Sequence, residues 1–138
     1  MIVGHIILEL SNPNFGDQSK ALNEAGRLLK SDGLLIVSVP NLAHLASRLY
    51  FLALGKLLRT SSIKRHPGDR PAAEFQKLLA ENGFIVKARI GLFPTLPLIT
   101  ALTLKIPSKV LFLHRFYDAT LAKLLPNLCF QNIFVAKR

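Results

Sequence analysis

The stretch RLLKSDGLLIVSVPN, residues 27–41, decides the fold. Its first residues close an amphipathic helix that runs from about Gln18 to Lys30, with Asp17 or Ser19 as its cap. Leu22, Ala25, Leu28 and Leu29 share one face of that helix, while Lys20, Asn23, Glu24 and Arg27 take the other. Gly33 is expected to end it in the left-handed conformation. Residues 34–39, LLIVSV, are apolar almost throughout, which suits a strand covered on both faces. Pro40-Asn41 stops it. Helix, Gly turn and doubly covered strand make one unit of a parallel α/β sheet, in which the loop after the strand usually holds a ligand.

The same grammar recurs downstream. Pro71 opens a second helix, in which Ala72, Phe75, Leu78 and Leu79 repeat the one-face spacing, and Gly83 closes it. FIVKARI follows as a strand, with Phe84, Val86, Ala88 and Ile90 alternating with Ile85, Lys87 and Arg89. At the start of the chain, residues 2–8 read as a buried strand and SNPNFGD as a loop. Residues 41–70 divide into a helix that is apolar nearly all round and a basic loop. A further helix is expected over 108–125, with Val110, Leu113, Tyr117, Leu121 and Leu124 on one stripe. Pro126 ends it, and CFQNIFVAKR closes the chain as a strand. The expected fold is one α/β domain over 1–138. It has about four strands, mostly parallel, flanked by helices.

On these motifs the sequence resembles the C-terminal half of a class I S-adenosylmethionine-dependent methyltransferase. ALNEAGRLLKSDGLLIVSVPN is similar to that family's helix and turn into the fifth strand, and EFQKLLAENGFIV to its later helix and sixth strand. GHIILELSNP is similar to the fourth strand and its loop, with His5, Leu10, Asn12 and Pro13 matching; Leu8 and Glu9 stand where the family has Glu and His. The resemblance implies a partial Rossmann-like sheet with an antiparallel terminal strand. It makes residues 42–70 a substrate-side helical and basic insertion, and 92–126 a helical segment before the last strand. It also implies S-adenosylmethionine as cofactor and methyl transfer to an acceptor, a small molecule or a lipid, as the reaction. The family grips its cofactor mainly through its first half, by a Gly-rich turn and an acid after the second strand. Here Gly stands at 4, 16, 26, 33, 55, 68, 83 and 91, so no Gly-x-Gly turn exists. Fewer residues precede Ile2 than three strands require, and the chain alone is expected to be a truncated, inactive portion of such an enzyme.

Composition narrows the partners. The balance of 18 Lys+Arg against 8 Asp+Glu gives a formal charge of +10. A basic run holds Lys56, Arg59, Lys64, Arg65 and Arg70 against Asp69 alone, and eight basic residues face one acid, Asp118, from Phe84 onward. Such a field attracts anionic partners, including lipid headgroups. The basic run lacks the interleaved aromatics of a nucleic-acid stacking platform, which disfavours nucleic acid. The proline-broken apolar segment from Leu92 to Pro107 falls short of the ~20 residues of a spanning helix. With Phe112, Phe116 and Tyr117 beside Lys109, Arg115 and Lys123, the segment after it supports a non-catalytic alternative, a basic α/β module docked peripherally on a membrane or an anionic partner. The single Cys129 excludes an internal disulfide and points to a reducing, cytoplasmic compartment. The four scattered His residues and one Cys make no metal site.

Candidate site residues follow from strand ends. His5 and Glu9 are candidates for cofactor contacts, because the loop after their strand faces the ligand crevice of an open α/β sheet. Against this, and favoured in the absence of the first half, His5 caps strand backbone and Glu9 is a solvated carboxylate. Pro40 and Asn41 line an acceptor pocket or simply terminate the strand. His44 and Arg48, four apart on a helix, face that pocket together or form the helix's polar edge. Methyl transfer needs alignment and, for some acceptors, a base, so no catalytic residue is singled out. With only half of such a sheet, an unpaired strand edge predicts self-association or a complementing N-terminal half as partner.

Overall fold

A computed structural model describes residues 3–10, 17–56, 70–94, 112, 115–116 and 119–138. Four strands form one sheet: β1 (Val3–Glu9), β2 (Leu29–Pro40), β3 (Ile85–Pro94) and β4 (Cys129–Lys137), in the order β1-β2-β4-β3. β1 and β2 are parallel, and β4 is antiparallel to both β2 and β3. Three strands therefore run one way, and the terminal strand slots between two of them in the opposite sense. The mostly parallel α/β sheet expected from the sequence is present.

Helix α1 (Gln18–Leu28) starts where Asp17 caps it, its side chain accepting from the Lys20 N–H at 3.1 Å. Helix α3 (Ala72–Glu81) starts after Pro71 and ends at Gly83, which is left-handed at φ 79°. Both helices cover the same face of the sheet. Leu22, Ala25, Phe75, Leu78 and Leu79 pack there against Leu35, Val37, Val39, Phe134 and Ala136, and the Phe75 and Phe134 rings meet at 5.5 Å. Each buried Leu, Val or Phe among them contributes roughly 1.5–3 kcal/mol.

Gly33 departs from its expected role. α1 ends at Leu28 and the chain leaves directly in extended conformation, with Leu29 at φ −81°, ψ 140°. Leu29 already pairs with Val3, and the next pair is His5 with Leu34, so two steps on β1 span five on β2. Gly33 lies in that bulge, where a Cβ would sit 2.6 Å from the Leu29 Cγ and 3.0 Å from the Gly4 carbonyl oxygen. Close approach, not a left-handed turn, is what requires glycine there.

The alternation expected in β3 also breaks. A bulge between Val86 and Ala88 shifts the phase, so Arg89 pairs with Phe134 on the covered face. Its guanidinium stacks 5.2 Å from the Phe134 ring centre, and its Nε donates to Asn132 Oδ1 at 2.8 Å. The middle of the opposite face of the sheet is apolar. Ile7, Ile36, Val135 and Ala88 form one continuous row across all four strands. Ile7 stands 77% exposed there, with Ile85 and Ile90 also exposed.

One helical expectation changes. Helix α2 (Leu45–Leu54) forms where an apolar helix is expected, but only Ser47 is buried. In the C-terminal region the described residues Phe112, Arg115, Phe116 and Ala119 are helical, as expected there, and a last turn, α4 (Leu121–Leu124), leads into a 3-10 turn over Pro126–Leu128. α4 buries Ala122, half-buries Leu121 and leaves Leu124 exposed, so one of the two described stripe residues turns inward. Val110, Leu113 and Tyr117, like Asn12 and Pro13, fall outside the described residues. Among the described residues no helix is long and apolar enough to cross a membrane.

Candidate functional site

Because β1 and β2 are parallel neighbours, their carboxyl ends reach the same edge of the sheet. Glu9 pairs with Ser38, and the Leu10 N–H donates to the Ser38 carbonyl at 3.0 Å. Crevices at such strand ends are where open α/β sheets bind ligands. Glu9 is exposed on the face away from α1 and α3. Register places Ser38 beside it on that face, and Gln131 lies one strand further, its Nε2 donating to Ser38 Oγ at 2.6 Å. A carboxylate, a hydroxyl and an amide thus share one rim, a set suited to hydroxyl and amine groups of a ligand. Sequence reasoning did not single out Ser38 or Gln131. Their proximity to Glu9 is a matter of cross-strand register, which no single strand discloses.

His5 shares that face with Glu9 but pairs with Leu34, roughly 13 Å back along the strand. Pro40 ends β2 opposite Gln131 and is half-buried. Asn41 is 2% exposed and turns inward. Its Nδ2 donates to the carbonyls of Asn127 and Cys129, both at 2.9 Å. Its Oδ1 accepts from the Ala43 N–H at 3.1 Å and the Ala72 N–H at 3.0 Å. One amide thereby ties the end of β2, the start of β4 and the start of α3 together.

His44 and Arg48 take different roles on α2. His44 caps α2, its Nδ1 accepting from the Ser47 N–H, and its buried ring meets Phe130 edge-on at 5.4 Å. Burial lowers its pKa, since the imidazolium loses hydration there. Arg48 is exposed and folds back, donating from Nε to the Ala43 carbonyl at 2.6 Å. Among the described residues no three His, Cys, Asp or Glu side chains gather as a metal site.

The fold has known counterparts. The cyclopropane synthase MmaA2 from Mycobacterium tuberculosis superposes with a TM-score of 0.50 at 16% identity, over 99% of this chain and 56% of that one. The mycolic acid cyclopropane synthase CmaA1, solved in complex with SAH and CTAB, matches with the same TM-score, identity and coverage. The likeness is one of fold. This chain thus spans a little over half the length of the synthases it matches. No protein-family model and no curated protein sequence matches it.

Proposed function

We propose that these residues form the second half of a class I methyltransferase sheet, and that the rim at Glu9, Ser38 and Pro40 faces S-adenosylmethionine. The observation that carries this reading is the strand order β1-β2-β4-β3, with the antiparallel last strand inserted next to the end. The fold likeness to a synthase holding SAH, the demethylated product of that cofactor, supports the choice of ligand. In this reading Glu9 takes ligand hydroxyls and His5 lies behind it on the same face. Pro40, with His44 and Arg48 beyond it, stands on the acceptor side, next to residues 42–70. Asn41 positions that edge rather than touching the acceptor.

The reaction moves a methyl group from a sulfonium to an acceptor by in-line displacement, and the sheet contributes alignment. These 138 residues contain no Gly-x-Gly turn for close backbone approach to the cofactor, so on their own they bind it weakly and transfer no methyl group. The outer edge of β1 and the Ile7–Ile36–Val135 row are where a complementing N-terminal half would attach.

Chemical-shift mapping with S-adenosylhomocysteine tests the assignment. Small perturbations confined to Glu9, Leu10, Ser38 and Pro40 and their neighbours are expected at millimolar ligand. Perturbation elsewhere, or none at saturating ligand, contradicts the site. Calorimetric titration of the same chain is expected to show no tight binding, and micromolar affinity would refute that part.

A further inference from the structure

We infer that α2 is a lipid-surface anchor, whose exposed apolar last turns enter the interface of an anionic bilayer. The helix is LASRLYFLAL, and Leu49, Tyr50, Phe51, Leu52 and Leu54 are all exposed, Leu52 at 81% and Phe51 at 51%. An amphipathic helix of a compact domain buries its apolar stripe and shows water its charges. Here Ser47 and the cap His44 are buried, Leu45 and Ala46 are half-buried, and every residue from Arg48 to Leu54 is exposed. Burying the apolar ones requires a partner outside the sheet.

Charge identifies that partner. From Gly33 to Gly68 the sequence has no carboxylate, while Arg48, Lys56, Arg59, Lys64 and Arg65 are cationic. Gly55, left-handed at φ 65°, ends the helix immediately before Lys56. An apolar helix leading into a stretch of basic sequence whose first acid is Asp69 is complementary to anionic headgroups above an acyl layer. At 1.5 Å per residue, ten residues reach about 15 Å, half the hydrocarbon thickness, so α2 lies in the interface and does not span it. Tyr50 suits that depth, with its ring in the acyl region and its hydroxyl in water. α2 springs from the same sheet edge as Pro40 and Asn41, so docking would bring the strand-end rim close to the lipid surface. The inference does not depend on methyl transfer.

Vesicle co-sedimentation of the 138-residue chain tests it, with neutral phosphatidylcholine vesicles and vesicles containing phosphatidylglycerol, at low and high salt. Binding is expected to the anionic vesicles, weakening with salt. Phe51→Glu with Leu52→Glu should reduce partitioning by more than about tenfold, because two exposed apolar anchors become charged. Lys56→Ala should reduce it about fivefold. Both substitutions lie on exposed positions, and unchanged circular dichroism would exclude unfolding as the cause. A second measurement uses Phe51→Trp, whose emission should shift to the blue on anionic vesicles only. Indifference of the wild-type chain to anionic lipid overturns the proposal. So does undiminished binding by the double variant, which would move the contact to the exposed Phe112, Phe116 and Leu124. Conversion of an oligomer to a monomer by the double variant, without vesicle binding, also overturns it and makes α2 a contact between copies.

Discussion

Asn41 shows how one buried amide fixes a strand end. All four hydrogen bonds of its side chain go to backbone groups, in the 3-10 turn, β4, the turn before α2 and α3. Asn41→Ala strands two N–H groups and two carbonyls, and should cost on the order of 3 kcal/mol in urea unfolding. A loss near zero would mean that water replaces the amide freely. His44 gives a pH signature. Burial lowers its folded pKa, so the unfolded chain binds the extra proton first. Its contribution to stability is complete above pH about 6.5 and falls away as pH drops below that value. Thermal unfolding between pH 7.5 and about 5.5 should show this slope, and His44→Asn, which still caps but does not titrate, should flatten it. Arg89 is a third case: Asn132 Nδ2 and Arg89 Nη2 are buried with no partner among the described residues. Removing the Arg89 Nε donor by Arg89→Ala leaves the fully buried Asn132 with neither end of its amide satisfied, at a cost of about 1–3 kcal/mol.

At the level of elements, Gly33 and Gly55 separate two reasons for glycine. A Cβ at Gly33 would meet the buried Leu29 and the β1 backbone, whereas Gly55 faces open space at φ 65°. Gly33→Ala should therefore cost about 2 kcal/mol by overpacking, and Gly55→Ala about 1 kcal/mol by conformation alone. Equal denaturation midpoints for the two would contradict this. The same comparison shows what the sequence discloses. α1, α3 and the four strands are legible from their apolar periods, with Asp17 marking the start of α1 and Gly83 the end of α3. The bulge at Gly33 and the one beside Lys87 are not, because each arises from pairing with a strand distant in the chain. α2 illustrates the other limit. An apolar period identifies a helix, yet it does not say whether the domain or something outside it covers the apolar face. The rim of Glu9, Ser38 and Gln131 was one-third legible for the same reason: only Glu9 ends a strand beside a recognisable loop.

For the whole molecule, the decisive features are one covered sheet face, one apolar open face and an edge strand. Ile7 combines the last two, at the outer edge of the sheet and 77% exposed. Such an edge pairs with other strands. Sedimentation velocity should show association growing with concentration, and Ile7→Lys should suppress it; a monodisperse monomer at all concentrations would contradict the open edge. The methyltransferase reading itself rests on strand order, since a last strand inserted between β2 and β3 distinguishes this sheet from one built in simple succession. Cross-strand nuclear Overhauser contacts in a labelled sample test that order most directly. Contacts from Ile36 to Val135 and from Ile133 to Ile90, with none between β2 and β3, are the expected result; direct pairing of β2 with β3, leaving β4 at an edge, would contradict it.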